Sequence, residues 1–237
     1  IGVGATFTMD VDPQTCPSGR VPSGRSCSEF FLNRVEGSSN FFGGGAIHVS
    51  GSATLRQTGI WGNSGYGAVA SVGGSLVLEG CGIEGNDRIG INDSSRFLVG
   101  GSLTVAFSTI VERTEISDVF RVFNGATIHL LSSIVQADQT FSWSVGFTST
   151  IDCVITREQS SFPAGGTLLA TVTDPTLLFT TWPGNYWDFR LKRDSIAADY
   201  CDTFFYIPTD DDTDNQVRGW DDPTVAGGFG AYDLGAD

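Results

Sequence analysis

A repeat of about 21 to 27 residues constrains this chain more than any other feature of its sequence. Five glycines mark the repeat, and an isoleucine stands nine positions after each of them. Seven positions after each glycine stands a small residue, which is Thr, Ser or Cys. Recurrence at such a period is typical of solenoids and related repeat architectures. The glycines are Gly51, Gly74, Gly101, Gly125 and Gly146, and the isoleucines are Ile60, Ile83, Ile110, Ile134 and Ile155.

Between each glycine and its isoleucine, apolar residues alternate with polar ones, as Leu76 and Leu78 do. A period of two indicates β-strands, and the abundance of Gly, Ser, Thr and β-branched residues argues against helical repeats. One such unit cannot bury its own apolar face, whereas stacked units place isoleucine over isoleucine at a strand spacing of about 4.8 Å. The sequence therefore predicts an all-β fold, a right-handed parallel β-helix of about five to six coils. The five isoleucines are predicted to form one inward-facing core ladder.

A β-propeller or a β-sandwich is the alternative architecture, but neither requires five isoleucines at one offset. In the fourth repeat the apolar alternation is shifted by one position, which predicts a β-bulge. The segments that flank the repeat differ from it in composition, and a solenoid needs caps to cover the strand edges at its ends. We therefore divide the chain into an N-terminal cap with a disulfide loop (1–42), the coils (43–160), and the last coil with a C-terminal cap (161–237).

The charge and hydropathy of the chain argue against two kinds of partner. It carries 27 Asp and Glu against 13 Lys and Arg, a net charge of −14, and its arginines are scattered. A surface this acidic repels a phosphate backbone, so no nucleic-acid partner is expected. No apolar run reaches the roughly 18 residues of a membrane-spanning helix, so no membrane span is expected. Because the chain begins at Ile1 without a leader, we expect either a processed protein or a fragment.

The five cysteines suggest disulfides rather than a metal site, because the chain has no CxxC motif and only two histidines. Cys16 and Cys27 lie close together in a segment rich in Pro, Gly and Ser, and we predict that they pair. Cys81 and Cys153 fall in one column of the repeat, roughly 14 Å apart over three coils, beyond the limit of about 7 Å between Cα atoms. They are predicted to be free and buried, which leaves Cys201 without a partner. This use of cysteine suggests an oxidising, extracytoplasmic compartment.

The C-terminal part carries the most specific motifs. Residues 188–191 read Asp-Phe-Arg-Leu, residues 195–199 read Ser-Ile-Ala-Ala-Asp, and residues 229–233 read Phe-Gly-Ala-Tyr-Asp after an acidic loop. With Gly-Gly-Gly-Ala-Ile at 43–47 and Ile-x-x-Asn at 60–63, the chain resembles secreted bacterial parallel β-helix proteins with polymorphic outer-membrane-type repeats and a choice-of-anchor-type C-terminal region.

In that family the corresponding motifs are Asp-Tyr-Arg-Leu, Ser-Pro-Ala-Ile-Asp and Ile-Gly-Ala-Tyr-Glu. The chain departs from them with Ile196 in place of the proline and Asp233 in place of the glutamate. The resemblance implies a β-helix with an extracellular or cell-surface location. It implies no particular reaction, because one fold hosts many activities.

An acidic loop near the C-terminus is the candidate metal site. Asp210, Asp212 and Asp214 alternate along it, and Asp221 stands at the twelfth position counted from the first. An EF-hand-like loop places calcium ligands at positions one, three, five and twelve, so these four residues are the predicted ligands of Ca²⁺, the one cofactor considered. Against this, the sixth position is not Gly and the twelfth is not Glu. The alternative is a solvated capping loop held by Arg218.

Many parallel β-helices are polysaccharide lyases or glycoside hydrolases, which use a basic residue beside calcium-binding carboxylates or two carboxylates that flank the bond. Here no two carboxylates recur at one offset in adjacent repeats, and the only lysine, Lys192, lies in the C-terminal motif. A strongly acidic surface also repels polyuronate substrates. Neither His48 nor His129 has a nucleophile in register with it. No catalytic residue is predicted, and the sequence favours a non-enzymatic role.

Three aromatic residues, Trp61, Tyr66 and Trp143, are the candidate glycan contacts, because an exposed ring can stack on a sugar. The sequence predicts a secreted or cell-surface structural or adhesive β-solenoid that associates with itself into filaments, with further copies or surface glycans as its partners. The segment from Ile1 to Thr8 is predicted to reach a neighbouring molecule as an added strand. The alternatives are a polysaccharide lyase or glycoside hydrolase, and a non-catalytic glycan-binding module.

Overall fold

The computed structural model describes residues 6–9, 28–31, 46–65, 69–84, 87–88, 95–112, 118–180, 189–198, 200–201 and 234–235. Strands dominate these stretches, and one turn of 3-10 helix, Pro175–Leu177, is the only helix within them. No helix of the described residues is long and apolar enough to cross a membrane. In chain order the strands are β1 (Thr6–Met9), β2 (Ser28–Phe31), β3 (Ile47–Val49), β4 (Ser52–Arg56), β5 (Thr58–Trp61), β6 (Ser64–Gly65), β7 (Ala70–Val72), β8 (Ser75–Glu79), β9 (Gly82–Glu84), β10 (Asp87–Arg88), β11 (Phe97–Val99), β12 (Ser102–Ala106), β13 (Thr109–Val111), β14 (Phe120–Val122), β15 (Thr127–Gln136), β16 (Phe141–Trp143), β17 (Thr148–Thr156) and β18 (Thr167–Thr171).

Equivalent strands of successive repeats pair in parallel and form two main sheets. The short sheet has five strands in the order β16-β14-β11-β7-β3. The long sheet has eleven strands, and each repeat contributes two consecutive segments to it, for example β4 and β5. In the later repeats the two segments merge into the single strands β15 and β17. β6 and β10 form a separate pair.

Each coil of the chain therefore contributes one segment to the short sheet and two to the long sheet. The first residues of the five short-sheet strands pair in a single row, so these strands bound four turns of a solenoid. The predicted fold class, a parallel β-helix, is confirmed for the described part of the chain. That part contains about four turns rather than five or six.

The apolar residues at alternate positions of each strand fill the interior. In β8, Leu76 and Leu78 are fully buried, whereas Ser75 and Val77 beside them are partly exposed. The same alternation holds in β4 and β12. The period-two pattern in the sequence thus translates directly into an inner and an outer face.

A row of aromatic rings lines the short-sheet side of the interior. Phe97, Phe120 and Phe141 occupy equivalent positions in three successive coils, with ring centroids 5.2 and 5.1 Å apart. Phe162 packs edge-on against Phe141 at 4.9 Å and closes the row. Because burial of each ring stabilises the fold by about 1.5–3 kcal/mol, this row is a large part of the cohesion between coils.

Glycine forms the corner between the short and the long sheet in the first coils. A Cβ atom on Gly101 would lie 2.1 Å from the backbone oxygen of Gly74, and one on Gly74 would lie 2.0 Å from that of Gly51. The amide of Ser102 donates to the same Gly74 oxygen at 2.7 Å. The close approach is therefore part of the hydrogen bonding between coils, and a side chain at these positions would separate the two backbones.

The second corner lies between the two segments of the long sheet, and residues with positive φ turn it. Gln57, Phe107 and Ser132 each have φ of 46°, Cys153 has 54° and Gly80 has 62°. These five residues occupy equivalent positions in successive coils, as the strand register on either side of them shows. The left-handed backbone recurs because the chain must bend at the same place in each coil.

Hydroxyl groups inside this second corner link successive coils. Ser108 Oγ donates to the carbonyl of Ala106 at 2.8 Å and accepts from the amide of Cys81 at 3.0 Å. One coil later, Ser133 Oγ donates to Leu131 at 2.7 Å and accepts from the Ser108 amide at 3.2 Å. Each hydroxyl thus satisfies two buried backbone groups at the bend.

The isoleucine ladder is interrupted in the fourth coil. Val135, not Ile134, pairs with the third isoleucine. Ile134 and Ile155 pair with each other in the adjacent row, on the opposite face of the strand. The prediction of one five-membered ladder is therefore wrong for these two residues. The continuous row contains Ile60, Ile83 and Ile110.

Additional residues in one corner cause this shift. Only Gly100 and Gly101 separate β11 from β12, whereas residues 123–126 separate β14 from β15, although the strands on both sides pair in register. The longer turn contains Gly125 with φ of 79°. Gly125 is therefore not equivalent to Gly101, although its spacing in the sequence suggested so. The predicted β-bulge is absent from β15, which runs unbroken from Thr127–Gln136.

A C-terminal segment covers the outer side of the second long-sheet segment. Ile134 and Ile155 face this segment and are fully buried beneath it, together with Val111. The covering segment thus replaces solvent on the outward face of these strands. Its buried residues are Val172, Leu178, Phe179, Ala197, Tyr200, Cys201 and Leu234.

A disulfide between Cys153 and Cys201 ties the C-terminal segment to the last coil, with the Cα atoms 5.9 Å apart. The predictions that Cys153 is free and that Cys201 lacks a partner are wrong. Both errors follow from the shift in register. Cys153 lies at the second corner, one residue before the inward-facing position at which it was predicted. Cys81 is free and buried, as predicted. Cys16 and Cys27 lie outside the described residues, so their pairing stays a prediction.

β1 and β2 extend the long sheet at its N-terminal end. Thr6 pairs with Ser52, and Ser28 pairs with Thr58, both in parallel. The chain therefore uses residues 6–8 within its own solenoid, and the prediction that they add to a neighbouring molecule is wrong. The limits proposed for the caps at 42 and 161 stay predictions.

Replacing Gly101 by alanine is expected to lower the free energy of unfolding by about 1–3 kcal/mol, because the new Cβ atom overlaps the backbone of the preceding coil. Gly100→Ala is the matched control, since its Cβ would lie 3.7 Å from the Val72 oxygen, an ordinary contact. Chemical denaturation of both variants measures the difference. Equal unfolding free energies would show that the corner tolerates a side chain at either position.

Cys201→Ser is expected to lower the free energy of unfolding by about 2–5 kcal/mol, because it removes the cross-link over a sequence separation of 48. Cys81→Ser is the control. Its sulfur lies 3.5 Å from the carbonyl of Glu79, at a position where the next coil carries Ser108, so a hydroxyl fits there. Thermal unfolding under non-reducing conditions compares the two variants. Similar destabilisation of both would contradict a special role for the disulfide.

Candidate functional site

Most of the predicted ligand-binding residues lie outside the described stretches. They are the candidate calcium ligands Asp210, Asp212, Asp214 and Asp221, and the aromatic residue Tyr66. Calcium binding by the acidic loop therefore stays a prediction. Among the described residues, no three His, Cys, Asp or Glu side chains lie close enough together to hold a metal ion.

The other two candidate glycan contacts differ in accessibility. Trp61 is only 5% exposed, so its ring is not available to a sugar. Trp143 is 42% exposed, and its ring lies 6.2 Å from that of Phe141 and 5.9 Å from that of Phe147. Of these two tryptophans, only Trp143 presents a ring to solvent.

Charged residues near the coil corners pair with one another. Arg96 donates to Glu112 at 2.7 Å, and both side chains are almost fully buried. Arg96 precedes β11 and Glu112 follows β13, so this ion pair joins the beginning of one coil to its end. Arg157 and Asp138 form an exposed pair at 2.9 Å. These contacts give the four residues a role in holding the coils.

At the C-terminal end of the solenoid, the last described strand of each sheet has no further described strand beyond it. β16 is the last strand of the short sheet, and β18 pairs only with β17. β18 begins to pair with β17 at Asp152, so residues 148–150 of β17 have no strand beyond them among the described residues. We refer to β16, residues 148–150 and β18 as the open end.

The edge of β16 carries backbone groups that point outward. Ser144 donates its amide back to Val122 at 2.9 Å. Because backbone groups alternate in direction along a strand, the N–H and C=O of Trp143 point away from β14. No hydrogen bond joins them to another described residue. The Phe141 amide, which points the same way, donates to Ser161 Oγ at 3.3 Å.

Exposed apolar side chains surround this edge. Val145 is 87% exposed and lies two positions after Trp143, whose ring packs against Phe147. Trp143 belongs to the row that contains Val122 in the preceding coil. Val122 is buried because a further coil covers it, whereas no described strand covers Trp143. We refer to Trp143, Val145 and Phe147 as the apolar patch.

A turn at residues 158–162 partly protects the open end. Ser161 Oγ accepts the amides of Thr140 and Phe141 at 3.1 and 3.3 Å. The Glu158 carboxylate accepts the amides of Ser160 and Ser161 and so holds the turn in place. Burial raises the pKa of Glu158, but its hydrogen bonds with Ser160 and Ser161 together outweigh that effect and leave the pKa below its ordinary value.

A second surface is the outer face of the first long-sheet segment, which is lined by hydroxyl groups. Its residues form two rows that run across five coils in unbroken register. All ten are at least partly exposed. We refer to them as the hydroxyl face. One row contains Ser52, Ser75, Ser102, Thr127 and Thr148, and the other contains Thr54, Val77, Thr104, His129 and Thr150.

Sequence reasoning overlooked the hydroxyl face although its signal is present. The repeat is recognised from its apolar residues alone, so the polar residues that alternate with them do not enter the prediction. Eight of the ten positions in these two rows are Ser or Thr, and none of the ten is Lys, Arg, Asp or Glu. A strand that merely faces water has no need of such uniformity.

Comparisons with known proteins reveal no relative, because no family model, no curated protein and no solved structure matches the chain. The resemblance to secreted bacterial proteins with a choice-of-anchor-type region therefore stays a prediction beyond the β-solenoid itself.

Acidification is expected to loosen the turn at residues 158–162. Since the pKa of Glu158 is lowered in the folded protein, its contribution is present above the ordinary value of 4.5 and is lost as the pH falls through the folded value. Amide hydrogen exchange of Thr140 and Phe141, corrected for intrinsic rates, should keep its protection down to about pH 4.5 and lose it as the pH falls further. Glu158→Gln keeps an acceptor oxygen without a titrating group. An identical pH dependence in this variant would contradict the assignment.

Proposed function

We propose that this chain is a secreted or cell-surface structural protein that associates head-to-tail with further copies of itself through the open end. The observation that carries this proposal is the combination of strand edges and exposed apolar side chains at one end of the solenoid. A strand edge offers a row of N–H and C=O groups, which is a template for pairing with another chain.

The direction of the strands suits this kind of association. Every pairing within the two main sheets is parallel, so a second copy placed along the solenoid axis would continue the sheets in the same sense. The N-terminal end of the long sheet consists of β1 and β2, and each of them pairs with one described strand only. A contact between two different ends of identical molecules does not close on itself, and it builds a filament.

The apolar patch supplies the driving force for such contact. Trp143 lies in the row where the preceding coils bury valine, and Val145, two positions later, is 87% exposed. Burial of the Trp143 side chain beneath a further coil would contribute about 1.5–3 kcal/mol, and Val145 enlarges the apolar surface beside it. Hydrogen bonding along the edge would then fix the register of the added molecule.

The extracellular location has separate support. The Cys153–Cys201 disulfide joins segments with a sequence separation of 48, and disulfides persist mainly in oxidising compartments. A rigid solenoid with a covalently attached C-terminal segment suits a protein that must persist outside the cell. The net charge of −14 keeps single molecules in solution until a specific contact forms.

Glycan binding is the second candidate function, and one observation favours it. Trp143 combines an exposed ring with a fixed orientation, because Phe141 and Phe147 flank it. A ring held in this way can stack on a neutral sugar. Binding of soluble oligosaccharides that is lost in Trp143→Ala, without any change in association state, would favour this function over self-association.

Val145→Asp is expected to abolish self-association, because it places a charge in the centre of the contact between copies. In sedimentation velocity over a wide concentration range, the original protein should form larger species as the concentration rises, and the variant should remain monomeric. Ile196→Asp is the matched control, since Ile196 is also exposed, at 48%, but lies in the C-terminal segment.

Monomers of the original protein at every concentration would overturn the proposal. So would equal association by the original protein and the Val145→Asp variant. Loss of association in both aspartate variants would indicate general charge repulsion and would also contradict a contact centred on the apolar patch.

A further inference from the structure

The hydroxyl face has a regularity that neither the fold nor self-association requires. Interior packing constrains only the inward-facing residues of β4, β8, β12, β15 and β17, whereas the outward-facing residues are free to vary. In the two rows of the hydroxyl face they are nevertheless Ser or Thr at eight of ten positions over five coils. The uniformity therefore points to something outside the chain that meets this face.

The hydroxyl groups of this face are available to such a partner. No hydrogen bond connects the side chains of Ser75, Ser102 or Thr104 to another described residue, and the same is true of the other hydroxyls of the face. This differs from the second corner, where Ser108 and Ser133 each bond two backbone groups. The chain thus uses one set of hydroxyls internally and leaves the other set to the solvent side.

The register of the strands turns these hydroxyls into a two-dimensional lattice. Neighbouring strands lie about 4.8 Å apart, and alternate residues along a strand lie about 6.6 Å apart. Pairing is continuous from β4 to β17 without an offset between the two rows. A partner that bonds one hydroxyl correctly is therefore in position for the others if its own repeat is similar.

The chemistry of the face specifies an uncharged partner. The chain has 27 acidic and 13 basic residues, yet the face contains none of them, and it contains no Phe, Trp or Tyr. Charged residues lie in the row that borders the face, where Arg56 and Glu79 pair 3.0 Å apart and Asp152 stands in the last coil. A charged ligand would find no counter-charge on the face, and a sugar ring would find no aromatic ring on which to stack.

We propose that the hydroxyl face binds the surface of ice. Ice presents a fixed array of water oxygens. Tetrahedral hydrogen bonds of about 2.75 Å place second-neighbour oxygens about 4.5 Å apart, close to the strand spacing of about 4.8 Å. Each oxygen both donates and accepts hydrogen bonds, as a hydroxyl does. Threonine adds a methyl group, which favours ordered water beside it over bulk water. The rigid backbone means that little conformational entropy is lost on binding.

The test uses the full chain and ice itself as the probe. Inhibition of ice recrystallisation and shaping of single ice crystals below the melting point are measured against serum albumin at equal mass. The protein is expected to inhibit recrystallisation and to facet the crystals, and albumin is not. Thr104→Lys, in the central coil, should lose this activity because a long charged side chain lifts the face off the lattice.

His48→Lys is the matched control, because it adds the same side chain at an exposed position on the short sheet. It should retain the activity. Circular dichroism of both variants verifies the fold, and Ser75→Lys, one coil earlier and away from the open end, serves in place of Thr104→Lys if the latter unfolds.

A gain of function provides the sharper test. Val77 and His129 are the two positions that break the rows, so Val77→Thr with His129→Thr completes the lattice. The double variant should inhibit recrystallisation at a lower concentration than the original chain.

Absence of activity in the original chain, or equal activity in Thr104→Lys, would overturn the proposal. So would binding to crystalline cellulose or chitin that depends on Thr104 in the absence of any effect on ice, which would identify a neutral polysaccharide as the partner. Because these assays do not involve the apolar patch, Val145→Asp should leave ice activity unchanged, and the two proposals succeed or fail separately.

Discussion

The hydrogen bonds between one coil and the next are the constraint on which this structure depends. They fix the spacing of the coils and stack equivalent residues over one another, so that one choice of residue in a repeat governs a whole row. Glycine at Gly74 and Gly101 follows from this, because the backbones come too close there for a side chain. The phenylalanine row follows as well, since parallel register places ring over ring.

The sequence was sufficient to predict the architecture but not the register of every coil. The period and the alternation of apolar residues depend only on local chemistry, so the β-helix and the row through Ile60, Ile83 and Ile110 could be read from them. Ile134 is misassigned because Gly125 stands at nearly the spacing of a corner glycine, although Ala126 occupies the equivalent position. The longer turn displaces the apolar alternation of the fourth repeat by one position from its glycine, but a β-bulge explains the same displacement. The error in register extends to Cys153. Its partner Cys201 lies outside the repeat, where no periodicity reveals a contact.

The candidate sites were less predictable for a related reason. Apolar residues at a regular spacing indicate a core, because buried positions are mostly apolar. The exposure of Trp143 depends instead on whether a further coil covers it, and therefore on where the repeat ends. Trp61 has the same side chain but is buried at 5% exposure. The hydroxyl face was legible in principle, because its residues follow the same period as the core. The acidic loop that contains Asp210 and Asp214 lies outside the described residues.

The longer turn at residues 123–126 shows how a molecule of this kind can change in length. The strands next to this turn keep their register although the turn before β15 contains two extra residues. The length of a turn can therefore change without a change in how the strands pair. The stretch from Phe97 to Val119 makes one full winding, because the residue that follows it, Phe120, pairs with Phe97. A tandem duplication of that stretch would therefore lengthen the solenoid by one coil. The new coil would carry its own phenylalanine, its own glycine corner and one more pair of outward hydroxyls. The remainder of the chain would need no compensating mutation.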